Sequence, residues 1–220
     1  MGIEIAALFD WDGVVIDSSR HHEESWERLA DEEKRDLPPD HFKKGFGMKN
    51  EVIIPHMLKW TQDGDEVRRI SLRKEELYRE VVLEWGIDPL PGVREWLEIL
   101  RAEEILCVIG SSTHRLNIET ALDKLGLRHF FHELVTAEDV SRGKPDPEVF
   151  LRAAAKAAQP AERCVVFEDA HVGIDAAKAA KMKVVAVATT HPAAELRAAD
   201  RVVSRLNELT LNDLRNLLSS

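Results

Sequence analysis

The hydrophobic positions of this chain follow two periods, and their alternation predicts its secondary structure. After Val93, short continuous apolar runs alternate with longer stretches in which apolar residues recur every three to four positions. The short runs are typical of buried parallel strands, and the longer stretches are typical of amphipathic helices. We therefore expect right-handed βαβ units that form a parallel α/β sheet with helices on both faces. The predicted strands are "ILCVIG", "HELVT", "RCVVFE", "KVVAVA" and "DRVVS", and the predicted helices are "VREWLEILRAEE", "HRLNIETALDKLG", "DPEVFLRAAAKAA", "AHVGIDAAKAAK" and "NELTLNDLRNLL".

A helical segment separates the first apolar run, "IEIAALF", from this alternation. From about Arg20 to Trp85 the chain is highly charged, has helical spacing and contains no convincing strand. A turn with two glycines in "KKGFGMKNE" joins the predicted helices, and "DPLPG" is typical of a hinge. We expect a core domain formed by residues 1–17 and 89–220, with an inserted all-helical cap domain at 18–88.

Composition and charge narrow the class of protein. The 220 residues are 44% hydrophobic and 32% charged, which is typical of a globular protein with a sizeable core. A net charge of −10 argues against nucleic acid as a partner, although a local cationic pocket could still bind a small phosphorylated ligand. Since no signal peptide or transmembrane stretch is evident, we expect a cytoplasmic protein without a membrane partner. We also expect a monomer. Cys107 and Cys164 lie in or beside apolar runs and are expected to be buried, reduced thiols.

Polar side chains follow the predicted strands at the points where these strands end. Parallel strands bring their carboxyl ends to one edge of a sheet, where such folds bind ligands. Asp10 and Asp12 follow the first strand, with side chains on the same side of an extended chain, while Trp11 faces the core. The other residues expected at this edge are Ser111 and Ser112 from "GSST", Lys144 from "SRGKPDPE", and Glu168 and Asp169 from "FED".

Acidic residues gathered at one edge predict a cation between them. Mg²⁺ fits because it prefers oxygen ligands, and Asp10, Asp12 and Asp169 would hold it. A carboxylate oxygen of Asp10 could then attack a phosphoryl group and carry it as an aspartyl phosphate. Lys144 and the Ser111 hydroxyl would stabilise the transferring oxygens. Asp12 could protonate the leaving oxygen and later accept a proton from the attacking water.

Four segments, "DWDGVVIDS", "VIGSS", "GKPDP" and "FEDAHVGIDAA", resemble in this order the four motifs of the haloacid dehalogenase superfamily of phosphotransferases. The helical segment resembles the cap of its β-phosphoglucomutase-like branch, so the resemblance covers essentially the whole chain. It implies a Rossmann-like core with a helical cap, and Mg²⁺ as cofactor. It also implies Asp10 as nucleophile and Asp12 as acid/base. The implied phosphate ligands are Ser111 and Lys144, and the implied metal ligands are the Asp10 side chain, the Asp12 carbonyl and Asp169, with Glu168 close behind.

Some of these positions have alternative interpretations. Ser112 could offer its backbone N–H to a phosphate or cap the next helix, and Thr113 is expected to be a helix cap. Glu168 could coordinate the metal directly or act electrostatically from behind it. Lys144 could be a solvated loop residue, but the two prolines that follow favour a fixed position in the site.

Three cap residues are candidates for substrate contact by the same resemblance. His22 lies where the mutase-like branch has a histidine near the substrate, and Lys74 aligns with a cap lysine. Either residue could instead lie on a solvated helix face. Asn50 aligns with an arginine that holds a second phosphate in the mutases, and an asparagine lacks its charged, planar fork.

Three functions are compatible with these residues. The chain could hydrolyse a small phosphorylated metabolite such as a sugar, polyol or glycolate phosphate. It could instead transfer the phosphoryl group within one sugar, as a β-phosphoglucomutase does, or serve as a non-enzymatic phosphoacceptor module. A phosphoacceptor module needs neither an acid at Asp12 nor a cap, and halide displacement would leave Asp12 and Asp169 without a role. Asn50 and "GSSTHR" favour the phosphatase over the mutase.

Overall fold

The computed structural model describes residues 5–45 and 48–219, and its strands form one six-stranded sheet within these ranges. The strands are β1 (Ala6–Phe9), β2 (Leu106–Gly110), β3 (Phe131–Val135), β4 (Cys164–Glu168), β5 (Lys183–Val187) and β6 (Arg201–Val203). Their order is β3-β2-β1-β4-β5-β6, and all neighbours are parallel. The predicted α/β fold class is confirmed.

The position of β1 in the sheet determines where the functional residues can meet. Phe9 at the end of β1 pairs with Ile109 of β2 on one side and with Phe167 of β4 on the other. Every residue of β1 is buried, which explains its continuous apolar sequence. Because the chain order reverses at β1, the loops after β1, β2 and β4 leave the sheet side by side at a topological switch point.

Helices occur in both compact units of the chain, Met1–Asp17 with Asp88–Ser220, and Ser18–Ile87. Asp88, which the sequence analysis assigned to the insertion, falls in the first unit. The α-helices of the described residues are α1 (Ser19–Glu33), α2 (His41–Gly45), α3 (Asn50–Val52), α4 (Gly64–Trp85), α5 (Val93–Ala102), α6 (Arg115–Leu125), α7 (Glu148–Lys156), α8 (His171–Ala179) and α9 (Leu211–Ser219).

The first unit contains the sheet and helices α5 to α9. Helix α5 buries four apolar residues at helical spacing, namely Val93, Trp96, Leu97 and Leu100. Phe150 of α7 joins Leu8 and Val166 of the central strands in one continuous apolar core. Trp11 is also fully buried, as expected. This packing holds the central strands and their carboxyl ends rigidly.

The second unit consists of α1 to α4 and a π-helical segment, Ile53–Met57. Trp26 and Leu29 of α1 pack against Ile70 and Leu77 of α4 in its core. The predicted turn in "KKGFGMKNE" includes residues 46 and 47 and so lies outside the described residues.

Two predicted elements have different boundaries in the structure. The first strand begins at Ala6, and residues 3 and 4 of its predicted run lie outside the described residues. The closing helix begins only at Leu211, because the Thr210 and Asp213 side chains each accept a hydrogen bond from the other residue's backbone N–H, as in a capping box. In the part of the chain that the structure describes, we find no helix that is both long and apolar enough to span a bilayer.

Candidate active site

Three carboxylates converge where the central strands end. Asp10 directly follows β1, and its backbone N–H donates to the Phe167 carbonyl at 2.9 Å, which fixes it beside β4. Glu168 ends β4, and Asp169 follows it. One oxygen of each carboxylate lies within 4.8 Å of the others, and only 9%, 1% and 4% of the Asp10, Glu168 and Asp169 surfaces are exposed. The structure thus brings these three sequence-predicted acids into one buried cluster.

Lys144 places its positive charge inside this cluster. Its Nζ donates to Asp10 Oδ1 at 2.8 Å and to Glu168 Oε1 at 2.7 Å. It also lies 4.8 Å from the centre of the Phe150 ring. Burial lowers the pKa of the Lys144 ammonium, but the negative charges of Asp10 and Glu168 outweigh burial and raise the pKa above its ordinary value. Lys144 is therefore a fixed cation in the site, and its interpretation as a solvated loop residue is wrong.

Glu168 holds Lys144 in place and is itself held by the backbone. Its Oε1 accepts from Lys144, and its Oε2 accepts from the backbone N–H groups of Asp169 and Ala170, both at 2.7 Å. Burial raises the pKa of Glu168; Lys144 opposes this rise, and Asp10 adds to it. Because both oxygens already accept hydrogen bonds within the protein, this geometry favours the electrostatic role of Glu168 over direct metal coordination.

Asp169 is the second carboxylate that faces Asp10. The Thr190 hydroxyl donates to its Oδ2. Gly13, with φ +80°, passes so close that an added Cβ would lie 2.0 Å from the same oxygen. Burial, followed by the charges of Glu168 and Asp10, raises the pKa of Asp169 to about 8. The position therefore disfavours an ionised carboxylate unless a further positive charge is present.

The loop after β2 brings hydroxyl groups to the same edge. Ser111 is buried, and its Oγ accepts from the Thr113 N–H at 3.2 Å, whereas Ser112 is exposed. The Thr113 hydroxyl donates to Asp12 Oδ2 at 2.5 Å. The expectation that Thr113 caps the next helix is wrong: the cap position of α6 is His114, and Thr113 binds Asp12 instead. The Asp12 carboxyl is consequently held by Thr113, and it does not belong to the group of three acids.

The charges in the buried cluster do not balance. Asp10, Glu168 and Asp169 supply three carboxylates, and Lys144 supplies one positive charge to two of them. Buried carboxylates require compensation, and a divalent cation between Asp10 and Asp169 would provide it with the oxygen ligands that Mg²⁺ prefers. The donor set therefore fits a hard divalent ion.

The three cap candidates meet in a polar cluster inside the second unit. Lys74 is only 3% exposed, so its interpretation as a solvated residue is wrong. Its Nζ lies 2.7 Å from His22 Nδ1 and 3.1 Å from Glu75 Oε1. The buried Asn50 amide donates to the same Glu75 oxygen at 2.7 Å and to Ser71 Oγ at 3.1 Å. An ammonium group has donors only, so His22 Nδ1 would be the acceptor in its contact with Lys74.

Sequence reasoning missed several partners of these residues. The sequence predicts only a cap role for Thr113, and Thr190 follows a strand that carries no motif, yet their hydroxyls bind Asp12 and Asp169. The sequence gives a weak indication for Thr190, because a polar residue just beyond β5 is expected at the same edge of the sheet as the acids. Glu75 and Ser71 had a signal in the helical spacing, since Ser71, Lys74 and Glu75 share a face of α4.

Comparison with known proteins agrees with this geometry. The family described as "haloacid dehalogenase-like hydrolase" matches residues 6–181. A chloroplastic 5-amino-6-(5-phospho-D-ribitylamino)uracil phosphatase of Arabidopsis thaliana is 41% identical over 97% of this chain, which spans 57% of that protein's length. A β-phosphoglucomutase of Bacillus subtilis is 30% identical, and the match covers 92% of this chain and 94% of the relative.

A solved structure supports the same relationship. The crystal structure of a haloacid dehalogenase hydrolase, family IA, variant 3, from Entamoeba histolytica superposes with a TM-score of 0.88 at 26% identity. The superposition covers 98% of this chain and all of the other. Together with the carboxylates and lysine at the carboxyl edge of the sheet, these matches show that the chain belongs to the haloacid dehalogenase-like hydrolases, a family of enzymes, and to their β-phosphoglucomutase-like branch.

Proposed function

We propose that this chain is a Mg²⁺-dependent phosphatase that hydrolyses a small phosphorylated metabolite through an aspartyl phosphate on Asp10. The observation that carries the proposal is the buried contact between Lys144 and Asp10 at 2.8 Å, beside Glu168 and Asp169. A nucleophilic carboxylate held by a buried lysine and surrounded by further acids is suited to phosphoryl transfer, in which negative charge must be positioned and neutralised.

The Asp10 and Asp169 side chains would hold the Mg²⁺, together with the backbone carbonyl of Asp12 that the resemblance assigns to it. Their surplus of negative charge in a buried cluster supports this assignment. When bound, Mg²⁺ supplies positive charge to the oxygens of the transferring phosphoryl group.

The side chains of the site would carry the reaction in two steps. An oxygen of Asp10 forms a bond to phosphorus while the bond between phosphorus and the leaving oxygen breaks, and Asp12 gives its proton to that oxygen. A water molecule then attacks the phosphorus and gives a proton to Asp12, and the Asp10 carboxylate is released. Lys144 and the Ser111 hydroxyl, with the exposed Ser112 turn, bind the phosphoryl oxygens through both steps.

The substrate we propose is a monophosphate with a polar, hydroxyl-rich body. We assign His22, Lys74 and Asn50 to its recognition, as the resemblance implies. The Lys74 charge already lies beside the Glu75 carboxylate, so the cluster offers hydrogen bonds rather than surplus positive charge. The Arabidopsis relative supports this class, because its named substrate carries one phosphate on a ribityl chain.

An intramolecular phosphotransferase is the second candidate, and the Bacillus relative is the observation in its favour. A mutase must hold a second phosphate group while the first is transferred. Asn50 is neutral, and its amide donates to Glu75 and Ser71. These contacts favour the phosphatase, since arginine at this position would supply the charged fork that binds a phosphate.

A panel of phosphorylated metabolites incubated with Mg²⁺ tests the proposal. It includes 5-amino-6-(5-phospho-D-ribitylamino)uracil, hexitol phosphates, fructose 1-phosphate, phosphoglycolate and β-glucose 1-phosphate, with free phosphate and isomerised sugar phosphate measured separately. We expect phosphate release from at least one ester and no isomerisation. Isomerisation without phosphate release would replace the phosphatase with the mutase, and no reaction without added metal is expected in either case.

Asp10→Asn tests the assignment of the nucleophile. The substitution keeps the shape of the side chain but removes the attacking carboxylate, so we expect turnover to fall by at least about a thousandfold. The matched control is Asp123→Asn, which changes an exposed carboxyl on α6 and should leave turnover unchanged. Appreciable turnover by Asp10→Asn would show that another residue is the nucleophile.

A further inference from the structure

We propose that Thr113 is a positioning residue, whose hydroxyl sets the orientation of Asp12 for proton transfer to the leaving group. The inference rests on the proposed function, in which Asp12 is the acid/base. The Thr113 hydroxyl donates to Asp12 Oδ2 at 2.5 Å across 101 residues of sequence. This hydrogen bond fixes one oxygen of the Asp12 carboxyl and so restricts the rotation of the whole group.

The backbone of Thr113 is fixed on both sides, so its hydroxyl has a defined direction. Its N–H donates to Ser111 Oγ at 3.2 Å, which ties it to the end of β2. Its carbonyl accepts from the Ala137 N–H at 3.2 Å, which ties it to the residues after β3. The β-branched side chain further restricts rotation about χ1. The residues at the ends of β2 and β3 thus fix Thr113, and Thr113 in turn fixes the Asp12 carboxyl.

The hydrogen bond from Thr113 gives the two carboxyl oxygens of Asp12 different roles. When Asp12 carries a proton for the leaving group, Oδ2 accepts from Thr113 and Oδ1 carries that proton. As the bond between phosphorus and the leaving oxygen breaks, the proton moves from Oδ1 to the leaving oxygen, and Asp12 becomes a carboxylate. The Thr113 hydroxyl then stabilises the negative charge that has formed, so it contributes more to the transition state than to bound substrate.

The geometry predicts an effect that depends on the leaving group. An alkoxide is a poor leaving group and needs the proton from Asp12, whereas dinitrophenolate departs without one. The ratio kcat/KM reports the first transfer, in which this proton moves. The experiment compares kcat/KM for 2,4-dinitrophenyl phosphate with kcat/KM for the alkyl phosphate that the wild-type protein hydrolyses fastest.

Thr113→Val removes the hydroxyl and keeps the side-chain shape, whereas Thr113→Ser keeps the hydroxyl. We expect Thr113→Val to lower kcat/KM for the alkyl phosphate by about 10- to 100-fold, and for dinitrophenyl phosphate by less than about threefold. Thr113→Ser should restore the alkyl activity to within about threefold of wild type. Thr120→Val is the matched control, because the Thr120 hydroxyl donates to the Leu116 carbonyl within α6.

The outcomes separate this inference from the proposed function. If wild-type protein releases phosphate from neither ester, the proposed function fails and the role of Thr113 fails with it. If wild-type protein is active and Thr113→Val loses both activities equally, the hydroxyl supports folding or phosphate binding, and the positioning role is refuted. The same role is refuted if Thr113→Val loses neither activity, or if Thr113→Ser behaves like Thr113→Val.

Discussion

Replacement of Gly173 by alanine tests the arrangement of the buried charges through a single added methyl group. Gly173 lies in the first turn of α8, where an added Cβ would be 1.6 Å from Glu168 Oε1 and 2.0 Å from the carboxyl carbon. The closest tolerable approach is 3.0 Å, so the Glu168 carboxylate would have to retreat by about 1.4 Å. Such a shift would stretch the 2.7 Å bond to Lys144 beyond hydrogen-bonding distance.

The change in the free energy of unfolding caused by Gly173→Ala follows from two opposing contributions. A glycine-to-alanine change within a helix stabilises a protein by about 0.5–1 kcal/mol. Disruption of a buried ion pair destabilises it by about 3–5 kcal/mol. The Glu168–Lys144 pair is almost wholly buried, so its loss dominates, and we expect Gly173→Ala to lower the free energy of unfolding by about 2–4 kcal/mol. Helix propensity alone predicts the opposite sign.

Urea unfolding followed by circular dichroism measures this difference, with Gly64→Ala as the matched control. Gly64 is the first residue of α4, and an added Cβ there meets nothing within 4 Å. The control should therefore be neutral or stabilising by up to about 1 kcal/mol. If Gly173→Ala proves as stable as wild type, Glu168 has room to move, and the account of a rigidly held Lys144 is refuted.

Two further predictions concern the metal site and the second unit. The pKa of Asp169 is raised from 3.8 to about 8, so metal-free protein should lose stability as pH rises through this interval, and Mg²⁺ should raise the melting temperature more at pH 8 than at pH 5.5. Equal shifts at both pH values would contradict this. Arg73 pairs with Glu32 of α1 and with Glu76 and Glu80 of α4, partly exposed, so Arg73→Met should destabilise the protein by about 1 kcal/mol at low salt and less in 1 M NaCl. A loss that is independent of salt would indicate packing rather than charge.

The fold could be predicted because its determinants are local in the sequence. The apolar runs of β1, β2 and β4 are buried on both faces of the sheet, except for the exposed Leu106 at the start of β2. Their composition alone therefore distinguishes them from the amphipathic helices between them. The exact ends of the helices and strands were harder to predict from the sequence. The closing helix begins at Leu211 because two side chains beside it form a capping box, and the apolar spacing extends across that point without interruption.

The convergence of the acids and Lys144 could also be predicted, because parallel strands bring their ends to one edge. The partners of these residues could not. Thr113 and Thr190 reach Asp12 and Asp169 across the sheet edge, and a threonine after a strand has several common roles. Sequence favours the cap role for Thr113, since such residues often begin helices, but the helix begins one residue later, with His114 at its cap position.

The second unit shows why charged side chains that the sequence predicts to be exposed can be buried in the structure. The segment "RRISLRKEE" has the composition of a solvated helix face, yet Lys74 and Glu75 are buried while Arg73 remains on the surface. Burying the Lys74 charge is tolerable only because Glu75 lies beside it and the Asn50 amide satisfies the same carboxylate. Charged residues therefore become internal through partners up to 52 positions away, which a helical period cannot reveal. The Asn50, Ser71, Lys74 and Glu75 side chains thus satisfy one another inside the unit, and the loss of one partner would leave the others as buried, unsatisfied polar groups.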